Sequence, residues 1–159
     1  MYFYKKIQME ATFKIWETNR SIYKTFLENY SLEQLNTIPV GFSNNLVWNL
    51  GHIIVAQQGL VYRLSGLPMG ITTEMLDTYK NGSKPTGTKT QAEVDELKML
   101  LFSLLKKTKE DYANGKFVSY NEFTTSTGFH LASAKEAIQF NNYHEAMHLG
   151  FMMNIRKFI

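Results

Sequence analysis

The chain has four histidines, His52, His130, His144 and His148, and two of them lie in the run Tyr143-His-Glu-Ala-Met-His148. On a helix, residues i and i+4 stand one above the other with Cβ atoms about 5–6 Å apart. Two imidazoles so placed can share one divalent ion through bonds of about 2.0–2.1 Å. The same spacing also suits two polar residues packed half-buried in a core. His52 sits among Trp48, Leu50, Ile53, Ile54 and Val55. A single histidine on such an apolar helix is more often a core residue with a satisfied hydrogen bond. Three histidines converge only if the fold sets their two helices side by side, as helical bundles with metal sites in their cores do.

The string His144-Glu145-x-x-His148 also matches the zinc-protease pattern, in which the glutamate is the general base. That chemistry needs a further downstream ligand, and Leu149 to Ile159 contain no Asp, Glu or His. The protease reading is therefore set aside. Glu145 remains the one candidate catalytic carboxylate. Its position turns it about 100° around the helix from His144, so support or surface exposure is expected ahead of a role as base. Asn49, Gln57 and Asn141 are candidates to accept the second N–H of a ligating imidazole. Trp48, four residues before His52, is expected to pack beside it. His130 falls in a loop near Gly128 and Phe129, where a surface or capping role is expected, with a place on a pocket rim as the alternative. Arg63, Arg156 and Lys157 are candidates to attract an anion. Met147, Met152 and Met153 suit a pocket or a dimer face, although methionines at helical spacing more often fill a core.

Four helical segments must position these residues. The first is expected over about residues 5–28, with Ile7, Ala11, Ile15, Ile22 and Phe26 as its apolar stripe and Trp16 and Tyr23 at its flank. Ser31-Leu-Glu-Gln34 reads as a capped short turn. The second helix is expected to start at Ser43 as its cap and run to about Ser65, where Gly66 and Pro68 stop it. Residues 66–89 are rich in Gly, Pro, Thr, Lys and Asn and show no pattern of their own. Thr90-Gln-Ala-Glu93 is a capping box that starts the third helix, ended by Asn114-Gly115, and Ser133-Ala-Lys-Glu136 is a second box that starts the fourth. Brief strand alternation appears in residues 116–124. Long helices of similar length argue for an all-α four-helix bundle in one domain spanning residues 1–159. A connection of about 24 residues can cross the bundle and leave the second and third helices parallel.

Composition narrows the function classes. The chain has 159 residues, no cysteine, 17 basic against 14 acidic residues, and 44% hydrophobic content. Without cysteine there is no disulfide, thiolate ligand or cysteine nucleophile within it. Any metal must use His, Asp or Glu. Lysines come in pairs, Lys5-Lys6 and Lys106-Lys107, which read as solvated faces rather than a nucleic-acid stripe. Lys5, Lys6 and Glu10 interrupt the N-terminal apolar residues, so no signal peptide is expected. The stretch Leu46 to Leu64 carries Asn49, His52, Gln57, Gln58 and Arg63, so no membrane span is expected either. The expectation is a soluble cytoplasmic protein with no nucleic-acid or membrane partner.

Leu32-Glu-Gln-Leu35, Pro39, Ser43 and Leu50-Gly-His52-Ile, followed by Asn142-Tyr-His-Glu-Ala-Met-His-Leu-Gly150, resemble the DinB/YfiT-like family of metal-dependent enzymes in order and spacing over nearly the whole chain. Phe151 stands where that family's motif often has Gln. The resemblance implies a bundle of up-down-down-up topology. It implies a divalent metal held by His52, His144 and His148, nickel or zinc first, with manganese or iron as alternatives. Members of that family with known roles include thiol-dependent transferases and a thiol-dependent isomerase, and many look dimeric, so a small-molecule substrate and a homodimer are expected; a metal that activates water or a thiolate makes a hydrolase or a low-molecular-weight thiol transferase the expected activity. Three protein ligands leave a position for water or substrate. With no cysteine in the chain, a thiol would arrive as a cosubstrate. The alternative is a non-catalytic, metal-stabilised bundle that binds a ligand or partner.

Overall fold

The computed structural model describes residues 2–159, with side chains from Met9 onward. The side chains of Lys5, Lys6 and Ile7 lie outside the described residues. Six helices follow one another: α1 (Tyr2–Asn29), α2 (Leu32–Asn36), α3 (Leu46–Gln57), α4 (Thr73–Tyr79), α5 (Gln91–Ala113) and α6 (Ala134–Ile155). Two short strands, β1 (Phe123–Thr124) and β2 (His130–Leu131), pair antiparallel before α6.

Side-chain contacts give the helix directions. Asn142 donates to the Thr12 carbonyl at 2.9 Å, and the Tyr23 hydroxyl donates to the Glu145 carbonyl, so α1 and α6 run parallel. Glu17 meets Lys109 at 2.6 Å and Glu28 meets Lys98 at 2.5 Å, so α5 runs against α1. Gln57 bonds Thr108 and Tyr62 bonds Asp111, so α3 and its extension run with α5. Asn49 meets His148 and His52 lies against His144, so α3 runs against α6. The result is an up-down-down-up bundle of α1, α3, α5 and α6. The crossover between α3 and α5 makes it possible, because it spans the bundle length.

The helix starts follow from local chemistry. Ser31 and Gln34 form a reciprocal capping box on α2, and Thr90 and Glu93 form one on α5. Ser133 caps α6 by accepting from Glu136 N–H at 3.2 Å, while the Glu136 carboxylate reaches back to Ala132 N–H at 2.7 Å. Four expectations are corrected. First, Asn45, not Ser43, caps α3: its side-chain oxygen accepts from Trp48 N–H at 2.9 Å, and its amide donates to the Asn36 carbonyl at 2.8 Å. This tie to α2 moves the start of α3 two residues on. Second, the crossover contains α4, capped by Thr72 at 3.1 Å, and its Tyr79 is buried against α3. Packing, rather than any sequence pattern, holds this short helix.

Third, only Phe123–Thr124 of residues 116–124 is strand. The stretch is held instead by the end of the α3 extension, through Asn121 N–H to the Leu64 carbonyl at 2.6 Å. Fourth, the buried face of α1 is Met9, Phe13, Trp16, Arg20, Tyr23 and Leu27; of the expected stripe Phe26 is buried beside it, while Ala11, Ile15 and Ile22 are exposed. That face repeats at alternating spacings of four and three, and it includes a charge.

Past Gln57 the α3 axis continues as a π turn over Gln58–Tyr62 and a 3₁₀ turn over Arg63–Ser65, ending at Gly66 with φ +70°. The apolar core forms two clusters. One gathers Tyr23, Phe26, Leu50, Ile54, Leu101 and Ile155; the other gathers Phe13, Trp16, Val61, Leu105 and Ile138. Along α1, α3 and α6, the buried polar residues Arg20, Gln57, Asn141 and Glu145 fall between them. The histidines lie in this polar layer. Among the described residues, no helix is long and apolar enough to cross a membrane.

Candidate metal centre

Antiparallel packing of α3 on α6 brings His52, His144 and His148 together. One ring nitrogen from each lies within 4.8 Å of the others. Ring centroids are 5.3 Å apart for His52 and His144, and 4.7 Å for each of the other two pairs. A tetrahedral ion with bonds of about 2.1 Å holds its nitrogens about 3.4 Å apart, which small side-chain movements supply.

Two of the tautomers follow from the hydrogen bonds. His52 Nδ1 is 2.8 Å from the Tyr79 carbonyl oxygen. A carbonyl only accepts, so Nδ1 carries the proton and Nε2 keeps its lone pair. His148 Nδ1 is 2.8 Å from Asn49 Oδ1. The Asn49 amide nitrogen already donates to the Asn45 carbonyl at 2.7 Å and to Asn44 Oδ1 at 2.9 Å, which fixes Oδ1 as the acceptor. His148 therefore also presents Nε2 with a free lone pair. Such outer acceptors orient a metal-ligating imidazole and raise its basicity. The Nδ1 of His144 is buried and has no hydrogen-bond partner.

All three imidazoles are held neutral at pH 7. Burial, reinforced by His144 and His52, pushes His148 down to about 3. Burial, reinforced by His52 and Arg20, pushes His144 down to about 4. Burial also lowers His52, against the opposing effect of its bond to Tyr79. A cluster of neutral, partly desolvated imidazoles is a poor place for protons. It is a good donor set for a borderline divalent ion such as zinc or nickel, and a poor one for calcium or magnesium, which prefer oxygen. His52 is buried, whereas His144 and His148 are half-buried, so the cluster opens to solvent on the α6 side.

The local backbone serves this arrangement. A Cβ at Gly51 would overlap the Tyr79 ring. Glycine there lets α4 lie close enough for the Tyr79 carbonyl to reach His52. Trp48 stacks on His52 with centroids 4.9 Å apart and planes within 10°, as its spacing leads one to expect.

Glu145 is fully buried and points to α1. Its Oε1 accepts from Trp16 Nε1 at 2.7 Å, from Arg20 Nε at 3.0 Å and Nη2 at 2.6 Å, and from Asn141 Nδ2 at 2.8 Å. Burial pushes this carboxyl up, and the Arg20 guanidinium opposes that shift. Of the three amides considered for the imidazoles, Asn49 meets one. Gln57 bonds Thr108, and Asn141 bonds Glu145. His130 is exposed on β2, 3.3 Å from Glu122, and is not part of the cluster. Arg63 and Lys157 are exposed, as is Arg156. Sequence reasoning did not single out Arg20 or the Tyr79 carbonyl.

The family model of the DinB superfamily matches residues 15–152. The matched span holds all three histidines, and the chain belongs to that superfamily. No curated protein matches the sequence.

Proposed function

We propose that this DinB-superfamily chain is a divalent-metal-dependent enzyme, a hydrolase or a low-molecular-weight thiol transferase, with His52, His144 and His148 as its ligands. One observation carries the reading: three neutral imidazoles converge at one point, two of them with Nδ1 engaged by acceptors, on a cluster half open to solvent. Closed structural sites use four protein ligands, whereas three leave room for a reactant. A divalent cation there would act as a Lewis acid that makes a water or a thiol reactive at neutral pH.

The chain's own residues supply binding and orientation. Tyr79 and Asn49 hold the His52 and His148 rings. Trp48 covers one face of His52 and shields it from water. Glu145 supports the helix that carries two ligands, since Oε1 is committed to Trp16, Arg20 and Asn141. In this reading it is not the base. With His52, His144 and His148 holding the cation, none of the three imidazoles would be free to act as the base.

Cobalt(II) substitution tests the open position. Cobalt-loaded protein is expected to show a d–d spectrum that changes on adding 2-mercaptoethanol, with a sulfur-to-metal charge-transfer band. A cobalt spectrum unmoved by thiol, azide or pH would indicate a closed site and contradict the enzymatic reading.

A further inference from the structure

The surroundings of the three histidines carry a second message. No Asp, Glu, Lys or Arg occurs between residues 34 and 62, the run that contains all of α3. Between residues 137 and 155 of α6 the only one is Glu145, which is fully buried and paired with Arg20. Both helices that present the imidazoles are therefore free of exposed ionised side chains along the site. What they expose is apolar: Tyr143 is 44%, Met147 39% and Phe151 39% exposed, and Phe129 on the neighbouring hairpin is 45% exposed.

These side chains are contiguous with the histidines. Phe129 lies 4.9 Å from Tyr143 and 5.3 Å from Phe140, and the Phe140 ring lies 6.3 Å from His144. Met147 sits three residues after His144, which makes it a neighbour of that residue on the helix surface. Phe151, three residues beyond His148, meets Phe42 at 5.6 Å. Small-molecule sites typically pair a few polar or metal contacts with an apolar lining that takes up the body of the ligand. Here the polar contact is the three-histidine point, and the lining is aromatic and thioether.

We infer that the site takes a neutral substrate with an aromatic or apolar body, whose donor atom reaches the three histidines while its body lies over Phe129, Tyr143 and Met147. This rests on the metal-dependent reading above. Apart from the metal itself, a small anionic substrate would meet no cation on α3 or between residues 137 and 155 of α6, and would have to displace water from apolar surface without compensation.

The probes are two monodentate thiols, benzyl mercaptan and 2-mercaptoethanesulfonate, whose sulfonate is a weak donor, titrated into the cobalt(II)-loaded protein at constant ionic strength. The charge-transfer band reports binding without any turnover. Benzyl mercaptan is expected to bind at least about tenfold more tightly, the scale of an apolar group in a fitting pocket. Phe129→Ser and Met147→Ser are expected each to lower that preference about threefold or more, leaving the cobalt spectrum without thiol unchanged. Phe129 is 45% and Met147 39% exposed, and far-ultraviolet circular dichroism of each variant is read beside the titration to check that the fold is kept. Equal binding of the two thiols, tighter binding of 2-mercaptoethanesulfonate, or an undiminished preference in both variants would overturn this inference alone. A protein that takes up no cobalt would overturn the metal reading and this inference with it.

Discussion

Glu145 lies between His144 and His148 in sequence, yet its carboxylate faces the other way, toward Arg20 and Trp16 on α1. A buried ion pair often stabilises no more than apolar residues of similar volume, but removing one partner strands the other. Glu145→Ala leaves the fully buried Arg20 guanidinium without its carboxylate. It is expected to destabilise the metal-free protein by about 3–5 kcal/mol in urea denaturation. The double change Arg20→Met with Glu145→Leu should recover most of that loss, whereas a single-variant loss below about 1 kcal/mol would mean that the pair is not buried as described. The histidines make the metal-free protein acid-sensitive. Their folded-state values lie below the ordinary 6.5, so below that pH the unfolded chain binds protons that the folded chain refuses. Metal-free stability should fall from pH 6.5 toward pH 4, and the His148→Leu variant should show a shallower fall. An equal slope in both proteins would contradict it. At this scale the sequence was legible where residue type speaks. The spacing of His144 and His148 and the apolar setting of His52 are visible in the letters. Arg20 was obscured because the more obvious Ile15 and Ile22 pattern lies on the exposed side. The signal that reveals it is the four-three repeat through Met9, Phe13, Trp16, Tyr23 and Leu27, in which Arg20 occupies a core position.

Among the elements, α4 has the least sequence signal and a direct link to the site. It is short, and its burial depends on Tyr79 packing against Gly51 of α3. Gly51→Ala places a methyl group where the Tyr79 ring lies, and backbone on a packed helix yields little. The variant is expected to undock α4, remove the acceptor of His52 Nδ1, and weaken metal binding about 10–100-fold. Limited proteolysis should cut faster within residues 66–89, while the far-ultraviolet circular dichroism stays close to that of the parent protein. Unchanged cleavage and affinity would show that α4 is not tied to His52. The long helices were legible because their caps are side-chain events: the box at Thr90 stands as read, Ser133 caps α6, and only the return bond of its box differs, since the Glu136 carboxylate takes the Ala132 N–H in place of that of Ser133. The start of α3 was misplaced because the competition between Ser43 and Asn45 is settled by Asn36, a partner in another element. The Tyr79 carbonyl could not be read at all, since every residue carries a carbonyl and only the fold selects this one.

For the whole molecule, the crossover between α3 and α5 decides the architecture. It leaves those helices parallel, so that α3 is free to run against α6 and α1 to run with α6. That single choice brings His52 level with His144 and His148, and it puts Arg20 and Glu145 in the same polar layer between two apolar clusters. The length of the connection was visible in the sequence, and so was its consequence. The depth of the site was not, because burial is a property of the assembled bundle. The proposed function requires this layer to hold one divalent ion on three histidines. Metal content by mass spectrometry on untagged protein, wild type beside His144→Ala, tests it most directly. About one equivalent is expected in the wild type, present on purification or after adding nickel or zinc, and little in the variant. No stoichiometric metal in the wild type after exposure to nickel, zinc and manganese, or equal content in the two proteins, would contradict it.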